Sequence, residues 1–126
     1  MLEIQEKMTS EGYEDVVASA DCDSLHITEA FDKGAVTDFI AYAYETEQTV
    51  IYDYDDGGDL YLCDGLVRSV LFKSCLKGID TACFRIKDEK KYENLAKLRF
   101  VCNDEKTLQN LNEFMNSCKN CKSNQQ

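Results

Sequence analysis

The sequence predicts an α+β (α/β layered) domain, with a mixed, mostly antiparallel sheet of five or six strands and helices packed on it. Three observations predict it. Residues 36–44 (VTDFIAYAY) and 49–54 (TVIYDY) are rich in β-branched and aromatic side chains and flank the short polar stretch 45–48, as in an antiparallel hairpin. Residues 64–78 (DGLVRSVLFKSCLKG) repeat Leu66, Val67, Val70, Leu71 and Cys75 at helical spacing, between a candidate capping residue, Asp64, and a left-handed stop, Gly78. Residues 79–86 (IDTACFRI) follow directly as a strand. The result is a β-β-α-β unit. Ligand chemistry in such a unit is expected where the second strand hands over to the helix, at residues 55–65.

The remaining elements follow in chain order. Residues 2–8 place Leu2, Ile4 and Met8 among charges and predict a short amphipathic helix ending near Gly12. Residues 13–20 carry Val16 and Val17 and read as extended, and aspartates make a turn at 21–24. Residues 24–31 (SLHITEAF) alternate as a strand and turn at 32–34 into 36–44, whose two faces are both apolar, as an interior strand requires. With 49–54 these form an antiparallel meander. Residues 60–63 lead into the central helix. A charged stretch, 87–91, opens a second helix at 92–98 with Leu95 and Leu98 inward. Residues 100–102 read as a further strand. Residues 107–116 repeat Leu108, Leu111, Phe114 and Met115 at helical spacing, although 107–111 (TLQNL) also suits a closing strand. The reading is one domain over 1–117 with a polar tail at 118–126.

Composition narrows the function classes. Twenty-four acidic against fourteen basic side chains give a net charge of -10 over 126 residues. That field repels nucleic acid and anionic membrane, and opposes phosphorylated cofactors unless a local nest overrides it. The partner expected is therefore a protein or a small molecule. There is no run long enough to span a bilayer and no basic-then-apolar start, so a cytoplasmic location is expected. Seven cysteines are an odd number, and Cys75 and Cys83 fall inside predicted elements, where a reduced thiol behaves as a small hydrophobe.

Four groupings carry potential chemistry. Cys118 and Cys121 form a CxxC pair able to bind a metal or cycle as a redox couple; a structural zinc would need further ligands such as Cys63 or Cys102. Asp53, Asp55, Asp56, Asp59 and Asp64 superficially space oxygens like a calcium loop, but glycine stands at the fifth-ligand position and a strand precedes in place of a helix, so an acidic turn is expected. His26, the single histidine, has no nucleophile near it in sequence; Cys63 is the one that the fold could bring close. Tyr42, Tyr44, Tyr52, Tyr54 and Tyr61 could line one face of the hairpin.

The order hairpin, long helix, strand, shorter helix and then LRFV at 98–101 resembles the second half of the GNAT N-acetyltransferase fold, over roughly residues 24–101. The resemblance implies acetyl-CoA as a possible cofactor, with Leu62, Cys63, Asp64 and Gly65 at the pyrophosphate-binding turn. Two of the family's signatures depart. Its basic, glycine-spaced loop is here GGDLYLCDG, with Asp59 and Asp64 where bare amides or positive charge are wanted. Its tyrosine acid before a Gly-Phe pair falls on Leu95, and its glycine on Arg99, with Tyr92 nearly one turn earlier. The expectation is a degenerate relative acting as a binding or interaction module. The alternatives are an acyltransferase with an atypical anion loop and a thiol or metal protein using Cys118 and Cys121.

Overall fold

The computed structural model describes residues 2–20, 22, 24–101 and 106–116. The elements are β1 (Leu2–Lys7), α1 (Glu14–Ala20), β2 (His26–Asp32), β3 (Ala35–Glu45), β4 (Gln48–Asp55), α2 (Leu60–Leu76), β5 (Thr81–Phe84), α3 (Glu89–Lys97) and β6 (Thr107–Gln109), followed by helical residues 111–116. All six strands join one sheet in sequential order, and every neighbouring pair is antiparallel except β4 with β5.

The meander is built as its sequence dictates. Lys33 and Gly34 both have positive φ, at 56° and 83°, the geometry of a two-residue hairpin turn whose twist matches the flanking strands. β3 lies inside the sheet, and residues 40–43 are fully buried. Between β3 and β4 the register passes from Ala41 opposite Asp53 to Tyr42 opposite Ile51, so Tyr52 is a bulged extra residue. The bulge turns Tyr52 away from the face that holds Tyr42 and Tyr54.

Helix α2 begins one turn before its expected start. Asp59, not Asp64, is the N-cap: its Oδ1 accepts from the Tyr61 and Leu62 amides at 2.9 and 3.4 Å. Both aspartates precede an apolar run. Nothing in Leu60-Tyr61-Leu62-Cys63 breaks a helix, so the earlier cap prevails. Gly78, with φ 79°, ends the helix as expected, and its amide donates to Cys75 O at 3.0 Å.

Three other expectations are corrected. Residues 2–7 form a strand, because six residue pairs along the free edge of β2 outweigh a seven-residue amphipathic helix, which is marginal alone. Residues 14–20 form a helix in place of an extended segment: Glu14 and Asp15 sit in its positive first turn, and Tyr13 anchors it by packing on Phe39 and donating to Glu29 at 2.6 Å. Residues 100 and 101 are not in a strand, and Cys102 lies outside the described residues. The last strand is β6, after which Asn110, at φ 57°, turns the chain into helical 111–116.

The core lies between the sheet and α2. Ile40, Tyr42, Ile51 and Tyr54 from the sheet meet Leu66, Val67, Val70 and Leu71 of the helix, with Leu95, Phe100 and Leu111 closing its far side. Ile27, Ala41, Ala43 and Val50 are buried on the opposite face, the side of Phe39 and α1. Among the described residues no helix is long and apolar enough to cross a membrane.

Candidate functional site

The turn from β4 into α2 is where the fold offers an anion site, and carboxylates of the chain already occupy it. Asp55 Oδ1 accepts from the Gly57 amide at 2.9 Å and Asp56 Oδ1 from the Gly58 amide at 2.8 Å, while Asp59 holds the Tyr61 and Leu62 amides. Gly57 is required twice over. Its φ is 61°, and a Cβ there would stand 3.0 Å from Asp38 Oδ1. Asp38 is itself buried; burial, with the charges of Asp55, Asp56 and Asp59, raises its carboxyl above the usual carboxylate range, against a lowering hydrogen bond from Thr37. The second carboxylate oxygen of Asp56 is buried and has no hydrogen-bond partner.

The four residues expected at the cofactor turn lie inside α2: Leu62 carries the last of these capped amides and the other three follow it. Leu62 and Cys63 are buried in the core, Asp64 is gripped by Arg68 Nε at 3.0 Å to both oxygens, and Gly65 lies beside Ile4. Burial pushes the Cys63 thiol up to about 12, with Asp56 and Asp64 adding to the rise, so it stays protonated and is a poor nucleophile. His26 does not reach it. Its ring stacks on Tyr42 at 5.6 Å and tilts against Tyr44, alongside the C-terminal half of α2, whereas Cys63 sits in that helix's first turn.

Beyond Ile51 and Phe84 the parallel strands β4 and β5 part, and side chains bridge the gap. Lys91 Nζ of α3 reaches Asp53 Oδ1 at 2.6 Å, and the Tyr54 hydroxyl donates to Lys91 O at 3.0 Å. The Tyr92 hydroxyl donates to Phe84 O and accepts from the Ile86 amide, both at 2.7 Å. A phenol committed in this way is not free to act as an acid. Leu95 is fully buried, and Arg99 takes φ 68°, so arginine here holds a backbone shape that glycine favours.

On the α1 side of the parted strands lies a cleft of about 660 Å³. Val16 of α1, Glu45, Tyr52, Arg85, Lys87 and Lys91 contribute to its walls. Glu45 accepts from Tyr52 at 2.7 Å and pairs with Arg85 at 3.4 Å, while Lys87 bonds the carbonyl and hydroxyl of Ser19 at 2.8 and 3.1 Å. Burial, with the charge of Glu45, pushes the Tyr52 phenol up to about 12. The expected row of five tyrosines is divided. Tyr42 and Tyr54 are core, Tyr52 lines this cleft, and Tyr61 is exposed on α2. Sequence reasoning missed the cleft because its residues come from four separate segments; the basic run 85–91 (RIKDEKK) on an acidic chain was the available signal.

The fold is matched among solved structures. The chain has the GNAT fold. Ribosomal-protein-S18-alanine N-acetyltransferase from Escherichia coli superposes with a TM-score of 0.62 at 12% identity, over 87% of this chain and 94% of that one. PaiA N-acetyltransferase from Thermoplasma acidophilum, in complex with coenzyme A, gives 0.60 at 12% identity, over 82% and 92%. A GNAT-family chain from Desulfovibrio desulfuricans gives 0.61 at 10% identity, over 82% and 87%. No protein-family profile and no curated protein matches the sequence. The GNAT likeness therefore resides in the fold, with its mixed sheet and β4–α2–β5 crossover.

Two sequence expectations about metals meet the structure differently. Asp53, Asp55, Asp56 and Asp59 accept from backbone amides of their own segment, Asp64 pairs with Arg68, and among the described residues no cluster of three or more His, Cys, Asp or Glu could hold a metal ion. Cys118 and Cys121 lie outside the described residues.

Proposed function

We propose that this chain is a GNAT-fold binding module that has given up acetyl transfer and takes a small ligand in the α1-side cleft. The observation that carries the reading is the occupation of the Gly57, Gly58, Tyr61 and Leu62 amides by Asp55, Asp56 and Asp59. A phosphate bound at a helix N-terminus needs such amides bare and a field that is not negative. Here each carries a carboxylate, and Asp38 adds a further one behind Gly57. A coenzyme A phosphate held at these amides would have to displace three carboxylates. The acid position supports the same reading, because Leu95 has no proton to give and the Tyr92 hydroxyl is held by the backbone at 84 and 86.

The cleft is suited in size to a molecule between an amino acid and a small drug. Its walls combine an aliphatic patch, a phenol and charges of both signs, which suits a zwitterionic or amphipathic ligand more than a phosphorylated one. Amide NMR on the reduced protein tests both parts together. Acetyl-CoA and coenzyme A are expected to leave the Gly57 and Gly58 signals unmoved at millimolar concentration, while members of an amino-acid and dipeptide panel shift Ser19, Tyr52, Arg85 and Lys87. Saturable movement of Gly57 and Gly58 with acetyl-CoA, accompanied by a rise in melting temperature, would overturn the reading.

A further inference from the structure

Helix α1 walls the cleft but has few ties to the rest of the fold. Val16, Ser19 and Ala20 line the cleft, yet no residue of the helix is fully buried. Its seven residues make two turns, too few to stand as a helix on backbone bonds alone, so its attachments decide where it lies. One attachment stands at each end. Before the first turn, the half-buried Tyr13 ring packs on Phe39 at 4.9 Å and its hydroxyl donates to buried Glu29 at 2.6 Å, while Tyr13 O accepts from the Val17 amide at 3.0 Å. In the last turn, exposed Lys87 donates to Ser19 O at 2.8 Å and to Ser19 Oγ at 3.1 Å. Among the described residues no other hydrogen bond or ion pair joins α1 to the sheet or to α3.

The two attachments differ in strength. Tyr13 combines ring packing with a bond to a buried carboxylate, so both parts must fail before it lets go. The Lys87 ammonium meets two neutral oxygens at an exposed site, where water competes for each bond. Of the described cations lining the cleft, Arg85 pairs with Glu45 and Lys91 with Asp53, both on the sheet; Lys87 alone reaches across to α1.

We infer that α1 is a lid on the cleft, pivoting at Tyr13 and latched shut by Lys87. This deepens the ligand-binding reading by giving the cleft an entrance, between Ser19 and Lys87, and it rests on that reading only for the lid's purpose. Ser19 lies six residues along from Tyr13, about 9 Å at 1.5 Å per residue. A tilt of about 30° carries that end about 5 Å, which breaks both Lys87 bonds and leaves Tyr13 seated. Little apolar contact opposes the motion, because Val16, Val17 and Ala20 are only half-buried. Opening uncovers Tyr52 on the opposite wall.

Amide hydrogen exchange of the full, reduced chain, read by NMR, tests the lid without any ligand, and the soluble nitroxide TEMPOL reports access to the Tyr52 ring. The lid and the ligand reading can therefore fail separately. Lys87→Met should quicken exchange at Val17, Ala18, Ser19 and Ala20 about three- to tenfold and broaden the Tyr52 ring signals in TEMPOL, with the urea midpoint unchanged. Ser19→Ala keeps the carbonyl bond and should give a smaller rise. Lys87→Arg keeps a charged donor and should stay within about twofold of wild type. Unchanged exchange at 17–20 in Lys87→Met, or Lys87→Arg behaving as Lys87→Met does, would overturn the latch. Faster exchange without greater access to Tyr52 would mean that the helix frays in place, and equal quickening across β4 and β5 would mean that Lys87 serves the whole fold; either result would overturn the lid.

Discussion

Replacing Asp59 tests the self-capped anion loop most directly. Asp59 Oδ1 holds two amides of α2, and its charge lies at the positive end of a 17-residue helix. Removing an N-cap costs about 1 kcal/mol, and the lost charge at the helix end about another 0.3–1. Against this, Asp59 is one of the charges that make Asp38 hard to ionise, so its removal returns part of the cost. Asp59→Ala is therefore expected to destabilise by about 1–2 kcal/mol, or roughly 4–8 °C in Tm for a domain of this size. Asp59→Asn keeps the accepting oxygen and removes the charge, so it should stay within about 0.5 kcal/mol of wild type. Urea and thermal unfolding at pH 7, with slopes compared to confirm two-state behaviour, give both values. Millimolar pyrophosphate should restore stability to Asp59→Ala alone, by about 1.4 kcal/mol at ten times its Kd. If Asp59→Asn costs as much as alanine, the carboxylate acts through charge and not as a cap; if pyrophosphate stabilises wild type equally, the amides are not occupied as described.

Further outcomes follow from the same geometry. Lys91→Met removes a partly exposed ion pair and should cost under about 1 kcal/mol, yet hydrogen exchange at the end of β4 and in α3 should quicken because the pair ties that helix to the strand. Leu66→Ala, at a fully buried position facing the sheet, should cost about 2–5 kcal/mol in urea unfolding with an unchanged slope. Asp38→Asn should stabilise the protein at pH 7. Because the folded carboxyl binds its proton more tightly than the unfolded one, wild-type stability falls as pH rises through the folded value, and the advantage of Asn should shrink as pH falls toward the usual aspartate range and vanish below it; urea midpoints at pH 7 and at about pH 2.5 decide it. Arg99→Val places a β-branched residue at φ 68° and should cost about 1–2 kcal/mol, whereas Arg99→Gly should be neutral or slightly stabilising in thermal melts.

The parts of the fold legible in the sequence were those where one period dominated. β3, β4, α2 and β5 each carry enough apolar residues at a period of two or 3.6 to exclude the alternative. The misread parts were short and poorly buried. Leu2, Ile4 and Met8 satisfy a helix or a strand equally, and the free edge of β2 made the choice. Val16 and Val17 favour a strand by propensity, but α1 has no fully buried residue, so its helix depends on acidic first-turn charges and the Tyr13 anchor. Of the site, the acidic turn was legible as a turn, and Asp59 was visible as an obstacle to phosphate. That Asp55 and Asp56 also close the amides at 57 and 58 is a matter of loop backbone, which periodicity does not report. The cleft was out of reach, since Ser19, Tyr52 and Arg85 meet only through the bulge at Tyr52 and the parting of β4 from β5.

The two borders of the sheet differ in a way that bears on solubility at high concentration. β6 is three residues long and gives an incoming chain little to pair with. β1 is longer but carries Glu3, Glu6 and Lys7, and its described residues are almost all exposed. An approaching strand would have to bring its backbone against these charges and compete with the water around them. Growth of the sheet by added strands, the usual route from a folded α+β protein to fibrils, is thereby obstructed at both ends.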